Sequence, residues 1–567
     1  MSSNRPALSS GSRQDDLDRL EGERFDLVIV GGGITGAGVA RDAAHRGLRV
    51  ALVEANDFAA GTSSRSSKLI HGGLRYLAQG EVGLVRETAL ERKAVHRMAP
   101  HLAEPCWMVV AARNRASLMK FRAGIGTYEK LGAVDDVDRH RVWDRDALAD
   151  EEPLLRVDDY PWACAYREYL SDDARLVLAV LRDAVRAGAV MANHLAVTGL
   201  VTTDERVTGV GAECALSGRR VTISGQVVVN AAGPWVEALA QWEQPGLANR
   251  LHLSKGVHVV VPRSRLDVHN LIVSTTADNR SIYTIPKADV VIVGTTDTSY
   301  HGTRTLWPEV EPADVEYLLQ PLTRLLDIEP LTADDVVATW AGVRPLIAQA
   351  GKQAKEMSRK DEVWVGAGGM ITVAGGKLTG FRAMAITVLE AVARQREQTL
   401  PPPPEPEPIP GADFDLDAGG DPTELDGGTE GRADGNSKGR VDLEAEAARL
   451  DRLTGCGPAS AERLIRLYGS EAPEVLALGP EPLVAGGLVH RGEVTWAMDQ
   501  EAAVTVEDVV YRRTRAAWYR PQERDALVAP MAEMMAARLG WDGATAADEI
   551  ARVSDRFADE LAFKEGR

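Results

Sequence analysis

The most restrictive feature of the chain is a glycine-rich segment between two short apolar runs near its start. "FDLVIV" (25–30) precedes "GGGITGAGVARDAAHRG" (31–47), and "LRVALVE" (48–54) follows. The β-branched outer runs predict strands, and the apolar spacing between them predicts a helix that ends at Gly47. Such a strand–helix–strand unit requires a parallel sheet covered by helices.

Gly31, Gly33 and Gly36 give this segment the pattern GxGxxG. The first glycine permits a tight turn, the second lets the backbone approach a pyrophosphate, and the third lets helix and strand pack closely. Glu54 ends the second strand, where a carboxylate accepts hydrogen bonds from an adenosine ribose. The pattern predicts dinucleotide binding, and by itself it does not separate FAD from NAD.

A second polar segment, "GTSSRSSKLIHGGLRYL" (61–77), follows directly. Its hydroxyl groups can donate to phosphate or flavin oxygens, and Lys68 and Arg75 can neutralise an anion. The pair Gly72–Gly73 permits close approach of the backbone to a ligand. A solvated loop is the alternative, but "KLI" and "LRYL" provide apolar anchors on both sides and favour a binding segment.

Composition limits the class of protein. The formal charge of the 567 residues is −18, which opposes non-specific binding of nucleic acid. The four cysteines include no CxxC pair, so we expect no metal site, no disulfide framework and a reducing cytoplasm. The polar N-terminus resembles no signal peptide, and no apolar run is long enough to span a membrane.

The pattern along the chain predicts four regions: a disordered tail over 1–24, a nucleotide-fold region over 25–400, a linker over 401–440 and a helical domain over 441–567. Nucleotide-fold features occur at both ends of the second region, since "VWVGAGGMITVAGGK" and a helical "FRAMAITVLEAVARQRE" follow residue 362. The strands between them are expected to form an inserted sheet. The linker is rich in proline, glycine and acids and can bury little.

Further segments follow the first two in a fixed order. They are "MAPHL" (98–102), "DDARLVLAVLRDAVRAGA" (172–189), "NAAGPWV" (230–236), "KGVHVVVP" (255–262), "GTTDT" (294–298), "GVRPL" (342–346) and "GGKLTGFR" (375–382). Together they resemble the FAD-dependent glycerol-3-phosphate dehydrogenase family, of the D-amino-acid-oxidase-like superfamily, over about residues 25–395. "LYGSEAPEVLAL" and "EDVVYRRTR" extend a looser similarity into the C-terminal region.

The resemblance implies an α/β fold: a Rossmann-like FAD-binding domain, an inserted antiparallel substrate sheet and an all-α C-terminal domain. It also implies an enzyme that takes a hydride from C2 of sn-glycerol 3-phosphate, releases dihydroxyacetone phosphate and passes electrons to membrane quinone. Such an enzyme would work on the cytoplasmic face of the membrane. Peripheral membrane contact and a homodimer are both compatible with the sequence.

The resemblance also assigns residues to the site. The expected substrate contacts are Arg75, Tyr76, Arg344 and Lys377, and cations suit a phosphate dianion. The expected FAD contacts are Gly31, Gly32, Gly33, Thr35, Gly36, Glu54, Thr62, Ser63, Ser66, Ser67, Lys68, Leu69, Ala231, Ala232, Gly233, Gly376, Lys377, Leu378 and Thr379. Thr35 stands where the family has Asn, and Gly380–Phe381 stands where it has a Thr-Tyr pair.

The proton of the substrate hydroxyl needs an acceptor. His258 is the first candidate because an imidazole titrates near neutral pH, and His71 is the second because its segment is expected over the flavin. The alternative for His258 is a structural histidine in an alternating strand. Arg344 is a poor base and is better suited to stabilising developing negative charge.

Three rival interpretations stay open. A glycerol-3-phosphate oxidase that reduces O₂ would share the same motifs, and an amine or amino-acid oxidase would not need three cations near a small substrate. A nucleic-acid-binding or scaffold protein is the rival from another class, because "LTGCGPASAERLIRLYG" (453–469) resembles a helix-hairpin-helix. Residues 441–567 carry 15 Lys+Arg against 23 Asp+Glu, which opposes that rival. The four arginines of "YRRTRAAWYR" (511–520) could face anionic lipid or pair with acids.

Overall fold

A computed structural model describes residues 7–72, 77, 80–348, 361–414 and 441–565. Its strands are β1 (Arg24–Val30), β2 (Val50–Val53), β3 (Leu69–Ile70), β4 (Ala103–Ala112), β5 (Arg141–Trp143), β6 (Trp162–Ser171), β7 (Val190–Ala192), β8 (Leu195–Thr203), β9 (Arg206–Cys214), β10 (Arg220–Asn230), β11 (Leu251–Pro262), β12 (Leu271–Thr275), β13 (Ser281–Lys287), β14 (Val290–Gly294), β15 (Thr298–Ser299), β16 (Ala338–Ile347), β17 (Asp361–Val365) and β18 (Ile371–Gly375).

Its helices are α1 (Arg13–Gly22), α2 (Ile34–His45), α3 (Val82–Met98), α4 (Arg115–Leu131), α5 (Arg145–Glu151), α6 (Asp173–Arg186), α7 (Val236–Glu243), α8 (Pro312–Leu319), α9 (Leu322–Leu325), α10 (Phe381–Gln395), α11 (Leu443–Thr454), α12 (Pro458–Tyr468), α13 (Ala472–Ala477), α14 (Arg491–Glu501), α15 (Ala516–Tyr519), α16 (Arg524–Leu539) and α17 (Gly543–Asp559). A π-helical turn over Asp508–Arg513 precedes α15.

The first sheet confirms the predicted nucleotide fold. Its order is β17-β18-β10-β1-β2-β7, with β9 and β8 added beside β10. The central pairs β18–β10, β10–β1, β1–β2 and β2–β7 are parallel, as the strand–helix–strand unit requires. Helices α2, α6 and α10 bury their apolar faces in one core against this sheet. The two ends of the predicted region, β1 and β18, therefore meet in one sheet.

The N-terminal segment differs from the predicted disordered tail. Helix α1 forms there, and Leu17 and Leu20 are buried against the other face of the first sheet. Leu8 is also buried, and its carbonyl oxygen accepts the N–H of Ala502 at 2.9 Å. Leucines three positions apart give this short polar helix one apolar face, and that face packs on the first sheet.

The second sheet is the predicted insertion. Its order is β15-β11-β14-β13-β12-β4-β6-β3, with β16 beside β11 and β5 beside β6. Its described strand pairs are antiparallel except β12–β4, in which Leu271 and Ile272 of β12 pair in parallel with β4. Strand β11 carries the predicted "KGVHVVVP" segment and pairs with both β14 and β16.

The C-terminal region is helical, as predicted, and packs on the second sheet. Trp340 of β16 lies in one apolar core with Trp518 of α15 and Met531 of α16. Helices α11 and α12 form the hairpin noted in the sequence. Leu464 and Ile465 of α12 are buried in an apolar core formed by the C-terminal helices. This burial agrees with the interpretation of the hairpin as helix packing. In the described part of the predicted linker, Ile409 is buried against the first domain.

Among the described residues, no helix has the length and apolar character needed to cross a bilayer.

Candidate active site

A cavity of about 1380 Å³ opens where the carboxyl ends of the parallel strands face the second sheet. This edge is where ligands bind in open α/β sheets. The predicted site residues that line it are Gly31, Gly33, Thr35, Glu54, Thr62, Ser63, Ser66, Ser67, Leu69, His71, Ala231, Ala232, Gly233, Arg344, Gly376, Lys377, Leu378 and Thr379. Segments far apart in the chain therefore meet at one site.

The glycine turn has no room for side chains. Gly31 has φ +115°, and a Cβ on it would lie 2.5 Å from the carbonyl oxygen of Ala231. A Cβ on Gly36 would lie 1.9 Å from the carbonyl oxygen of Gly31. Gly36 therefore acts by packing the helix on the turn, and it does not line the cavity. The N-terminus of α2 borders the cavity through Ile34 and Thr35, where a helix attracts phosphate.

Glu54 holds the turn in place as well as facing the cavity. Its carboxylate accepts the N–H of Gly32 at 2.7 Å and that of Asn56 at 2.9 Å. Burial raises the pKa of the Glu54 carboxyl above its ordinary value, against the opposing effect of these N–H groups. Gly32 was predicted as an FAD contact, but its N–H is used by Glu54 and it is not part of the cavity wall.

The polar segment after β2 forms one wall of the cavity. Ser63 Oγ accepts the first N–H of helix α2, from Ile34, at 3.0 Å. The Thr62 hydroxyl donates to the carbonyl oxygen of Val343 at 2.6 Å, which ties the segment to β16. These bonds fix the segment against helix α2 on one side and strand β16 on the other. Its hydroxyls therefore have structural partners in addition to facing the cavity.

Lys68 does not line the cavity, contrary to its predicted contact with FAD. Its Nζ lies 2.9 and 2.8 Å from the two carboxylate oxygens of Asp173 and 2.5 Å from the carbonyl oxygen of Ser64. The ammonium also lies over the rings of Trp340 and Trp518, at 4.8 and 5.1 Å. Burial lowers the pKa of Lys68 to about 7, while Asp173 opposes that shift. The Asp173 carboxylate therefore offsets only part of the cost of burying the ammonium.

His258 lies behind Ser67 and is not part of the cavity wall. Its Nε2 is 2.9 Å from Ser67 Oγ, and its ring stacks on Trp340 with centroids 5.0 Å apart. Gly294 lies opposite on β14, where a Cβ would be 2.1 Å from the imidazole. The strand alternation that suggested a structural histidine thus buries the ring completely. Ser67 connects it to the cavity.

Arg344 and Lys377 both line the cavity, as predicted. The Arg344 guanidinium donates to Thr295 Oγ1 at 2.7 Å and lies 3.4 Å from Asp297 Oδ1. It is held over Gly256, where a Cβ would be 2.0 Å from the guanidinium. The other predicted substrate residues, Arg75 and Tyr76, lie outside the described residues.

The second sheet and its connections contribute cavity residues that the sequence did not indicate. They include Ser281 and Tyr283 of β13, Arg280 of the turn before it, and Arg304 of the segment after β15. The Arg280 guanidinium donates to the Asp297 carbonyl oxygen at 2.6 Å, so Asp297 contacts two cavity arginines. The alternation of Ser281 and Tyr283 on β13 is the signal that could have identified this wall.

One acidic cluster has the spacing of a metal site. Ligand atoms of Asp57, His194 and Asp508 lie within 4.8 Å of one another. Their carboxylates already accept guanidinium N–H groups, from Arg513 to Asp57 at 2.9 Å and from Arg512 to Asp508 at 2.8 Å. The cluster is therefore an ion-pair network.

Three of the four arginines of "YRRTRAAWYR" are buried against acids, and the fourth, Arg520, is partly buried and pairs with Asp289 and Glu523. Arg512, Arg513 and Arg515 are each at most 2% exposed, so they do not face lipid. Their partners Asp57, Asp172 and Asp173 belong to the nucleotide-fold region. Arg512 also pairs with Glu507 and Asp508 of the C-terminal domain.

The residues present fit FAD. The turn at Gly31 and Gly33 and the start of α2 can take the pyrophosphate, and Glu54 faces the cavity where a ribose is expected. The family model described as "FAD dependent oxidoreductase" matches residues 26–382. The fold and the site thus define an FAD-dependent oxidoreductase, with FAD as its cofactor.

Comparison with known proteins narrows this class. A second family model, "C-terminal domain of alpha-glycerophosphate oxidase", matches residues 420–546. The aerobic glycerol-3-phosphate dehydrogenase of Staphylococcus aureus (strain USA300) is 34% identical over 93% of this chain and 94% of its own length. The aerobic glycerol-3-phosphate dehydrogenase of Staphylococcus haemolyticus (strain JCSC1435) is 40% identical over 69% of this chain and 71% of its own length.

A solved structure gives the same result. The glycerol-3-phosphate dehydrogenase from Bacillus halodurans, complexed with FAD, superposes on this chain with a TM-score of 0.77. The two sequences are 30% identical, and the match covers 98% of each chain. The chain belongs to the family of aerobic glycerol-3-phosphate dehydrogenases. This membership favours an enzyme over the nucleic-acid-binding or scaffold alternative.

Proposed function

We propose that the protein oxidises sn-glycerol 3-phosphate to dihydroxyacetone phosphate and passes the electrons to membrane quinone. The observation that carries the proposal is the placement of Arg344 and Lys377 on the same cavity as the cofactor segments. A phosphate dianion suits a guanidinium fork and an ammonium group. The whole-length similarity to aerobic glycerol-3-phosphate dehydrogenases supports the same substrate.

Each residue has a proposed task. Bound FAD supplies the hydride acceptor. Arg344 and Lys377 bind the phosphate and orient C2, and Arg75 and Tyr76 remain proposed substrate contacts. Hydride transfer depends on how the substrate is positioned. The fixed orientation of the Arg344 guanidinium, which Thr295 holds, therefore contributes more to the proposed rate than its positive charge alone.

The hydroxyl proton leaves through the histidines in this proposal. His258 accepts it by way of Ser67: the serine oxygen takes the proton of the substrate hydroxyl as its own proton moves to Nε2. His71 is the second candidate because it lines the cavity directly. The Arg344 guanidinium stabilises negative charge that develops on the substrate oxygen.

The alternative is a glycerol-3-phosphate oxidase that reduces O₂ to H₂O₂, which the C-terminal family model favours by its description. Anaerobic reduction of the holoenzyme by sn-glycerol 3-phosphate, followed by reoxidation with a quinone analogue or with O₂, separates the two. The dehydrogenase predicts fast reoxidation by the quinone analogue. Fast peroxide formation without quinone turnover would assign the oxidase.

The location follows from the same proposal, since an enzyme that reduces membrane quinone works at the cytoplasmic face as a peripheral protein. A homodimer is a separate proposal, which the sequence allows. Cosedimentation with anionic vesicles and light scattering of the purified holoenzyme measure these two properties.

A further inference from the structure

The cofactor segment after β2 is anchored from behind by one carboxylate. Asp173, at the start of α6, accepts the Ser66 N–H at 3.1 Å and the Ser66 hydroxyl at 2.7 Å. It also accepts both bonds from Lys68, whose backbone is left-handed at φ +58°. A non-glycine residue keeps that conformation only where its surroundings hold it.

The same carboxylate is bound from the C-terminal domain. The Arg515 guanidinium donates to Asp173 Oδ1 at 3.0 Å and to Asp172 at 3.2 Å. It also donates to the carbonyl oxygen of Tyr511 at 2.8 Å and lies over the ring of Trp518. Arg515 and Asp173 are both 0% exposed, so water does not replace these contacts.

Arg515 is a main source of positive charge for the two buried carboxylates of this cluster. Asp172 and Asp173 pair with Lys68 and Arg515, and Lys287 adds positive charge near Asp172. Removal of Arg515 would take an ion-pair partner from both carboxylates, and the cluster would have to rearrange. The most direct route is movement of Lys68, which is on a loop.

Ser67 lies between the two anchored residues. Ser66 and Lys68 both bind Asp173, whereas Ser67 faces the cavity and contacts His258. A shift of its neighbours therefore moves the cavity-facing hydroxyl. A displacement of about 1 Å at a reacting group can cost on the order of 100-fold in rate.

We propose that Arg515 is a positioning residue: through Asp173 it fixes the segment Ser66–Lys68, and with it the wall of the cavity where FAD would bind, so that the C-terminal domain sets the geometry of a site it does not itself line. Arginine is suited to this task because its fork reaches both carboxylates at once. This inference concerns the FAD site and does not depend on which substrate is oxidised.

The test compares Arg515→Met with Arg524→Met in the FAD-loaded full chain. Arg524 is the matched control, since it is a buried arginine of the same domain that pairs with Glu560 and contacts no cofactor segment. We expect Arg515→Met to change the visible circular dichroism of bound flavin and to weaken FAD retention at least tenfold. Arg524→Met should lower the melting temperature with the flavin signal unchanged.

A conservative variant keeps the test decisive if Arg515→Met does not fold. Arg515→Lys retains the charge but not the fork, and it should give an intermediate flavin signal and a slower rate of flavin reduction at saturating substrate. The inference is overturned if the Arg515 variant that folds keeps the wild-type flavin spectrum and FAD affinity and loses only thermal stability. Because the spectrum needs no substrate, failure of the proposed reaction would be seen separately, as absence of flavin reduction in the wild type.

Discussion

Ser67 Oγ and His258 Nε2 lie 2.9 Å apart, which connects a residue of the cavity wall to an imidazole that the cavity does not reach. The ring is fully buried and stacked on Trp340. A histidine in this position can act on a ligand only through the serine hydroxyl.

The first prediction tests the two histidines. If His258 accepts the proton through Ser67, His258→Ala should slow flavin reduction at least tenfold. The pKa of His258 is held well below its usual value, so it is a weaker base than the usual contribution of about 10²–10⁴-fold assumes. His71→Ala should then have a smaller effect. Stopped-flow absorbance of the flavin under anaerobic conditions measures both. If neither variant slows reduction tenfold or more, the proposal of a histidine base is wrong.

The second prediction concerns pH and stability. Burial, with Arg344 and Lys68 nearby, holds the pKa of the His258 imidazole well below its usual value of 6.5. The unfolded chain therefore binds a proton that the folded protein does not as the pH falls below about 6.5. The contribution of His258 to the free energy of unfolding is complete above that pH and is lost below it, by up to about 1.4 kcal/mol per pH unit.

Melting temperatures of wild type and His258→Asn across pH 5–8 check this sign. The stability difference between the two proteins should shrink as the pH falls. His101, whose pKa burial lowers to about 3, shifts stability in the same direction but is present in both proteins, so it cancels. A difference that stays constant with pH would show that His258 does not titrate in this way.

The third prediction concerns the grip on the phosphate. Arg344→Lys keeps a positive charge but loses the fork that Thr295 and Asp297 anchor. A charged hydrogen bond is worth about 1.5–3 kcal/mol, so KM should rise roughly 10–150-fold. Arg250→Lys is the control, because Arg250 pairs with Glu362 outside the cavity. Equal KM values for the two variants would contradict the assignment.

The fourth prediction concerns the glycine turn. Gly36→Ala places a methyl group 1.9 Å from the carbonyl oxygen of Gly31, a backbone atom that cannot move aside. The variant should purify without flavin absorbance. Gly124→Ala is the control, since a Cβ there has open space within helix α4 and should leave FAD binding intact. Full FAD occupancy of Gly36→Ala would show that the turn tolerates a side chain.

Local sequence was sufficient for much of the fold. The β1–α2–β2 unit was predicted because strand composition and helical spacing are properties of adjacent residues. The cavity residues Arg344 and Lys377 were assigned from their motifs. Arg280 and Tyr283 were missed because only the folded second sheet brings them to the cavity.

Lys68 shows why the remaining contacts could not be predicted. In the sequence it belongs to a cluster of hydroxyls that suits an anion, and its carboxylate partner Asp173 is 105 positions away. Arg515, which shares that partner, is a further 342 positions beyond it. Whether a cation faces a ligand or a buried acid is decided by tertiary packing, which short-range patterns do not contain.

The most direct test of the central claim is an anaerobic titration of the FAD-loaded protein with sn-glycerol 3-phosphate, followed by flavin absorbance. Glycerol and a 2-hydroxy acid serve as controls for the phosphate and for the oxidised carbon. The account predicts full bleaching of the flavin by sn-glycerol 3-phosphate and little by either control at equal concentration. Bleaching by a control alone, or none by sn-glycerol 3-phosphate, would contradict it.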